Sequence, residues 1–479
     1  MQLMQAGVLL TFRLHPWAGE GSAGSAISQY RHHHRALLEG GGRRTRRKVS
    51  PEENLHLHHA SMTHRYGIVT PPAIGHLNPM VALAMELMRR GHQVVVFTVA
   101  DGARKLSGLP LEVVTVGANA FPPGAVDEAY VTLGRLSGRE GLRFSVDYFR
   151  REQAMLHEEL PDAVRAASID VLLVDQLCPA AGTVADLLGL PFITIANALP
   201  VNREPAVPPY FTGWLPSNRP WARWRNQLGN ALLDRLTEPL WRDLQEKRER
   251  CGLKRHRRRF EALSPLLQLA QLPAAFDFPR ERLAPHFHYV GRLADPSGQE
   301  PLLRNVVPFP WDKLDGRPLI YASLGTLQNG RPELFALIAA ACGPLNAQLV
   351  ISMGNPTGVP LDLPGDPLVV AYAPHQQLIE RSALVITHAG LNTTLTALGC
   401  GVPVLAIPIT NEQPGIAARV AYSGAGRVIP VQRISMPELR SVVSDILNTP
   451  GYKENAEHLQ GEFNAAGGVA AAADLIEAI

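Results

Sequence analysis

Cysteine is scarce in this 479-residue chain. Cys178, Cys251, Cys342 and Cys400 lie far apart and form no CxxC pair, which argues against a disulfide framework and a cysteine-built zinc site. Free thiols in a reducing cytoplasm are expected. No stretch reaches the roughly 18 uninterrupted apolar residues of a membrane-spanning helix. The opening MQLMQAGVLLTF has neither a basic start nor a clear cleavage site, so it makes a poor secretory signal. Missing too are the phosphate loop GxxxxGK[ST], a GxGxxG following a strand, the nucleophile elbow GxSxG and any DxD pair. A hydrolase therefore finds little support.

Charge of one sign is also lacking. Lys and Arg number 46 against 43 Asp and Glu, and the first 61 residues hold 8 of the former and 4 of the latter. The body is thus near neutral and offers no basic face for nucleic acid. Residues 1–61 also carry 7 of the 17 histidines and show no hydrophobic period. They read as a disordered or non-native extension.

From Met62 onward the pattern is regular. YGIVTPP (66–72), QVVVFTV (93–99), LEVVTV (111–116), VLLVDQ (171–176) and PFITIANAL (191–199) read as buried strands. LNPMVALAMELMRRGH (77–92) reads as a helix with Pro79 in its first turn and Gly91 at its end. A Pro- and Trp-rich region (203–229) and a basic helical segment interrupt the series. A second series follows in LIYASLGT (319–326), AQLVISMG (347–354), LVVAYAP (368–374), ALVITHAG (383–390) and PVLAIPI (403–409). The expected fold is α/β, with two doubly wound Rossmann-like domains facing a cleft. Their bounds are 62–291 and 313–479, with a linker at 292–312 and a last helix able to pack back on the first domain.

THAGLNTTLTALGCGVP (387–403) carries the chemistry of the second domain. His388 ends a strand, a small-residue turn with Gly390 follows, and Asn392 or Thr393 can cap the next helix. Unpaired N–H groups and the positive dipole end suit phosphate oxygens, and the imidazole with the Thr393 and Thr394 hydroxyls adds donors. A capped turn with an incidental histidine is the bland alternative. Gly325 and Thr326 form a second strand-end turn. Glu412 and Gln413 pair an acid with an amide at the same edge, a set suited to sugar hydroxyls. Together these point to a nucleotide-sugar. In the first domain His76 sits at a strand-to-helix turn and Asp175 ends another strand. A histidine whose far nitrogen meets a carboxylate is a suitable general base for an attacking alcohol.

The segment YAPHQQLIERSALVITHAGLNTTLTALGCGVPVLAIPITNEQPGIAARV (372–420) resembles the donor-binding signature of the family-1, GT-B type glycosyltransferases that use nucleotide-sugars. GIVTPPAIGHLNPMVALAMELMRRGHQVVVFT (67–98) is similar to their first strand–helix–strand unit. VDQLCPAAGTVA (174–185), ANALPVNREP (196–205) and FDFPR (276–280) resemble the bacterial zeaxanthin glucosyltransferases in particular. The resemblance implies transfer of glucose from UDP-glucose to a lipophilic alcohol, the ring hydroxyls of zeaxanthin, with inversion. It implies His76 as base with Asp175 as its partner, and His388 with Asn392 and Thr393 on the diphosphate. Glu412 and Gln413 would hold the sugar. Tyr372 stands where many relatives stack a tryptophan on uracil, and His375 where they often have glutamine. Thr396 replaces the carboxylate that relatives offer to the ribose, which loosens the choice of UDP over dTDP. No metal and no other cofactor is implied.

The stretch 213–241, with Trp214, Trp221, Trp224 and Trp241 among arginines, suits a bilayer interface or packing within the first domain equally well. A cytoplasmic enzyme touching the inner membrane is the matching location. Two alternatives stay open: the same chemistry on a sterol, macrolide or other lipid, and a protein that binds a sugar nucleotide without transferring it. The presence of both His76 and Asp175 argues against the second.

Overall fold

The computed structural model describes residues 63–136, 138–295, 308–326, 330–354 and 360–479. The N-terminal extension and most of the linker lie outside the described residues.

Strands buried on both faces read as continuous apolar runs, and those runs pair in parallel here. β1 (Arg65–Val69), β2 (Gln93–Thr98), β3 (Glu112–Thr115), β4 (Val171–Asp175) and β5 (Phe192–Ala196) take up the five runs of the first half. β6 (Gln268–Ala270) and β7 (Phe287–Tyr289) extend the sheet; at three residues each, they are too short to show a period. The order is β3-β2-β1-β4-β5-β6-β7, with every described pairing parallel. Helices α1 (Ile74–Arg89), α2 (Ala100–Leu106), α3 (Ala125–Arg135), α4 (Gly138–Ala166), α5 (Pro179–Leu188), α6 (Pro220–Leu236) and α7 (Glu238–Arg250) belong to this half.

α1 starts three residues before the expected helix, so His76 lies in its first turn and Pro79 inside it. A proline gives no N–H to the carbonyl four residues back, here that of Gly75. That carbonyl instead accepts from Nδ2 of Asn392, at 2.7 Å, across the boundary with the second half.

The second half repeats the plan. β8 (Leu319–Ser323), β9 (Gln348–Ser352), β10 (Leu368–Val370), β11 (Ser382–Thr387), β12 (Val404–Ala406) and β13 (Gly426–Val428) form a parallel sheet ordered β10-β9-β8-β11-β12-β13. With it go α8 (Pro332–Cys342), α9 (His375–Glu380), α10 (Leu391–Gly399), α11 (Gln413–Ser423), α12 (Met436–Asn448), α13 (Pro450–Ala466) and α14 (Gly468–Glu477). Strand order reverses between β1 and β4 in one sheet and between β8 and β11 in the other. These are the switch points at which doubly wound sheets bind ligands.

α14 returns to the first half. Its Val469, Ala472, Ala473 and Ile476 share a core with Leu77, Met80 and Leu83 of α1. Arg90 pairs with Asp474 at 2.6 Å, and His92 meets Glu477 at 2.9 Å. Between the halves, Asp277 is fully buried and takes Arg419 of α11 at 2.7 Å, Arg280 at 2.6 Å and the Tyr289 hydroxyl at 2.8 Å. Gly415 of α11 is pressed on the Tyr210 carbonyl, where a Cβ would lie 1.9 Å from the oxygen. Among the described residues, no helix is long and apolar enough to cross a membrane.

Candidate active site

The first sheet supplies a histidine–carboxylate pair. β4 ends on Asp175, whose side chain is fully buried, and α1 carries His76 past the end of the adjacent β1. Nδ1 of His76 lies 2.8 Å from Asp175 Oδ2. Thr70 and Asn197 donate to the same oxygen at 3.1 and 2.8 Å, and the Leu177 N–H donates to the other at 2.9 Å. Burial would raise the Asp175 pKa, but the imidazole and these donors outweigh it and hold the carboxyl below its usual range. The carboxylate is therefore charged and Nδ1–H is the donor, which leaves Nε2 free to take a proton. Burial alone would lower the His76 pKa; the charge and hydrogen bond of Asp175 reverse this and raise it.

Glu152 of α4 joins this neighbourhood without any sequence motif to announce it. Its carboxyl is buried and is pushed up to about 8, first by burial and then by the charge of Asp175, with His76 opposing. At neutral pH it is mainly a neutral acid.

The second sheet builds a cradle around His388 at the end of β11. A Cβ on Gly325 would lie 2.7 Å from the ring, and one on Gly390 would lie 2.6 Å from it, so both glycines leave the space the imidazole fills. Thr387 Oγ1 is 3.3 Å from Nδ1. Burial pushes the His388 pKa down to about 4, against a hydrogen bond to the Ser323 backbone, so the ring is a neutral hydrogen-bonding group. Between His388 and Gly390, Ala389 adopts φ +64, a left-handed conformation that costs a non-glycine residue roughly 1 kcal/mol. That turn aims the start of α10 at the same edge.

Three expectations change here. α10 begins at Leu391 and is capped by the Gly390 backbone, so Asn392 and Thr393 lie within the first turn rather than at the cap. Thr394 is fully buried and its hydroxyl cannot reach the cleft. The Asn392 carboxamide spans the two halves, giving Nδ2 to Gly75 and accepting from Gln271 at 3.0 Å. Its backbone N–H, like that of Thr393, has no partner within the helix.

The remaining candidates collect around the second sheet. Thr326 is exposed after β8, and Tyr372 is half-buried in the turn before α9. His375 opens α9, with Nδ1 3.1 Å from the Tyr321 hydroxyl; burial, then the charges of Arg292 and His388, push it down to about 4. Glu412 is half-buried just before α11, and its charge helps raise both His76 and Tyr210. Gln413 is buried, and its carboxamide oxygen accepts from the N–H groups of Ile409 and Thr410 at 2.8 and 2.9 Å. Only its amide nitrogen is left for a ligand.

Arg292 was not anticipated, because it falls in the expected linker. It donates to Thr396 Oγ1 at 2.7 Å and to Gln376 Oε1 at 2.9 Å. A guanidinium thus stands beside Thr396. Among the described residues, no group of three or more His, Cys, Asp or Glu side chains is placed to hold a metal ion.

The family model described as UDP-glucoronosyl and UDP-glucosyl transferase matches residues 143–461. A zeaxanthin glucosyltransferase of Pseudescherichia vulneris is 35% identical over 87% of this chain and 98% of its own length. Another, of Pantoea ananas, is 32% identical over 87% and 96%. Among solved structures, the glycosyltransferase of kitacinnamycin superposes with a TM-score of 0.66 at 21% identity, covering 87% of this chain and 98% of its own.

Proposed function

The chain belongs to the UDP-glucoronosyl and UDP-glucosyl transferase family, and we propose that within it the enzyme moves glucose from UDP-glucose to a lipophilic alcohol, zeaxanthin, with inversion. Glycosyl transfer itself follows from the membership. Donor, acceptor and stereochemistry are our reading, supported by the zeaxanthin glucosyltransferases among its relatives. We also read the acceptor as membrane-dissolved and the enzyme as reaching it at a membrane surface, without need of a metal.

The observation that supports this most is the 2.8 Å contact between His76 and Asp175, one residue from the Gly75 carbonyl that Asn392 holds. The base and the start of α10 are neighbours through that bond. In the proposed step, the acceptor hydroxyl attacks the anomeric carbon and its proton passes to His76 Nε2. Asp175 stabilises the imidazolium as it forms. The C–O bond to the diphosphate breaks, and the departing charge is met by His388 and the N–H groups of Asn392 and Thr393. Tyr372 and His375 would bound the nucleotide, while Gly325 and Thr326 close the site beside β8. Glu412 and Gln413 would hold the sugar.

Product analysis tests it. Incubation with UDP-glucose and zeaxanthin should give a more hydrophilic carotenoid, and His76→Ala should abolish product while sparing UDP binding. Transfer only to a sterol or macrolide in a parallel panel would replace the acceptor. Full turnover by His76→Ala would refute the base.

A further inference from the structure

α6 is inside out. Its inward positions are Ala222, Asn226 and Gly229, while Trp221, Trp224 and Leu228 face outward at 53%, 66% and 47% exposure. Spacings of three and four residues put those three on one helical face. A surface helix ordinarily turns such a face to the core. Here the roll is fixed from the inside: the Asn226 carboxamide donates to the Pro205 carbonyl at 3.0 Å, and a Cβ on Gly229 would come within 2.9 Å of Pro209. The helix cannot turn to bury its tryptophans without breaking both fits. Leu215, half exposed at 50%, lies just ahead of it.

The chain segment that carries this face, running on through α7 to Arg259, is richer in positive than in negative charge. Residues 213–259 hold 13 Lys and Arg against 5 Asp and Glu. Arg219, at the helix start, is exposed. Arg225 lies 4.5 Å from the Trp214 ring and 5.2 Å from that of Trp221. Indoles with arginines beside them match the headgroup layer of a bilayer, apolar on one side and anionic on the other.

We propose that this face of α6 docks the enzyme on the surface of an anionic phospholipid membrane. The segment ahead of α6 connects that surface to the cleft: the Tyr210 carbonyl packs on Gly415, and Gly213 faces Pro414. An acceptor leaving the bilayer beside Trp221 would meet the site along this segment. The docking rests on the reading of a membrane-dissolved acceptor only for its purpose, so binding and turnover are measured separately.

Full-length protein is co-sedimented with vesicles of phosphatidylcholine alone or mixed with phosphatidylglycerol. Preference for the anionic vesicles, weakened by salt, is expected. Trp221→Ser with Trp224→Ser should lower it at least about tenfold, while transfer to zeaxanthin in detergent is unchanged. Equal sedimentation of parent and variant, or none with either vesicle, would overturn the docking. So would light scattering that shows a dimer which the double variant dissociates, because the face would then belong to a second copy. Loss of activity in detergent together with loss of vesicle binding would mean that the double variant misfolds; Arg219→Gln then replaces it, with anionic-vesicle binding expected to fall about fivefold at unchanged activity in detergent, and undiminished binding overturning the docking.

Discussion

At the scale of single residues, the role proposed for His76 as base predicts the pH behaviour. A base has to be neutral to act, and Asp175 holds the His76 pKa above the ordinary histidine value. The kcat/KM should therefore rise with pH through a limb above about 6.5. Asp175→Asn removes the charge, so the limb should move to lower pH while kcat falls by orders of magnitude. A pH–rate profile of both proteins checks it. Glu152 gives a second titration, read in stability. Its folded pKa, about 8, exceeds the unfolded value, so the stability present below about 4.5 is lost as pH rises toward 8. Glu152→Gln should abolish that loss, about 1.4 kcal/mol per pH unit crossed, and should gain over the parent in denaturation midpoint from pH 5 to 8. The places of Asp175 and His388 at strand ends, and of His76 at a strand-to-helix turn, were legible because apolar runs mark where a parallel strand stops. Glu152 and Arg292 were not, because a buried acid in a long helix and a cation in a linker follow no spacing rule.

At the scale of elements, two glycines determine whether the second sheet can present an imidazole. Gly390 has φ −64, so alanine fits its backbone, but the added methyl would sit 2.6 Å from the ring of His388. Gly390→Ala should leave the thermal midpoint within a few degrees and raise KM for the donor about tenfold or more. Initial rates across donor concentrations at saturating acceptor decide it. Strands were readable from sequence where apolar or β-branched residues ran on unbroken, as in β2 and β11 and even in the three-residue β10 and β12. β6, β7 and β13 are as short and include Gln268, His288 and Arg427, which break the run, and they were not. The start of α1 was misplaced because proline usually marks a first turn, and only the partner on Gly75 explains why Pro79 is tolerated five residues in.

At the scale of the whole molecule, the two halves are joined by a buried charge. Asp277 compensates Arg419 and Arg280 together, and the neighbouring guanidinium groups keep its carboxyl far below the usual range. Asp277→Asn would strand two buried cations and should cost about 3–5 kcal/mol; Arg419→Met leaves the Arg280 pair intact and should cost less. Denaturant unfolding of both variants tests that ranking. Two parallel sheets were evident from two series of apolar runs, whereas the Asp277–Arg419 pair spans 142 positions and leaves no local trace.

The return of α14 makes the second half an insertion. Its chain enters after β7 and leaves before Gly468, both points lying against the first half, with Gly468 N–H held 2.6 Å from the Val290 carbonyl. Grafting a relative's nucleotide specificity onto this enzyme therefore calls for an internal cassette with two seams. A chimera made by one crossover would pair the α1 surface of one parent with the closing helix of the other.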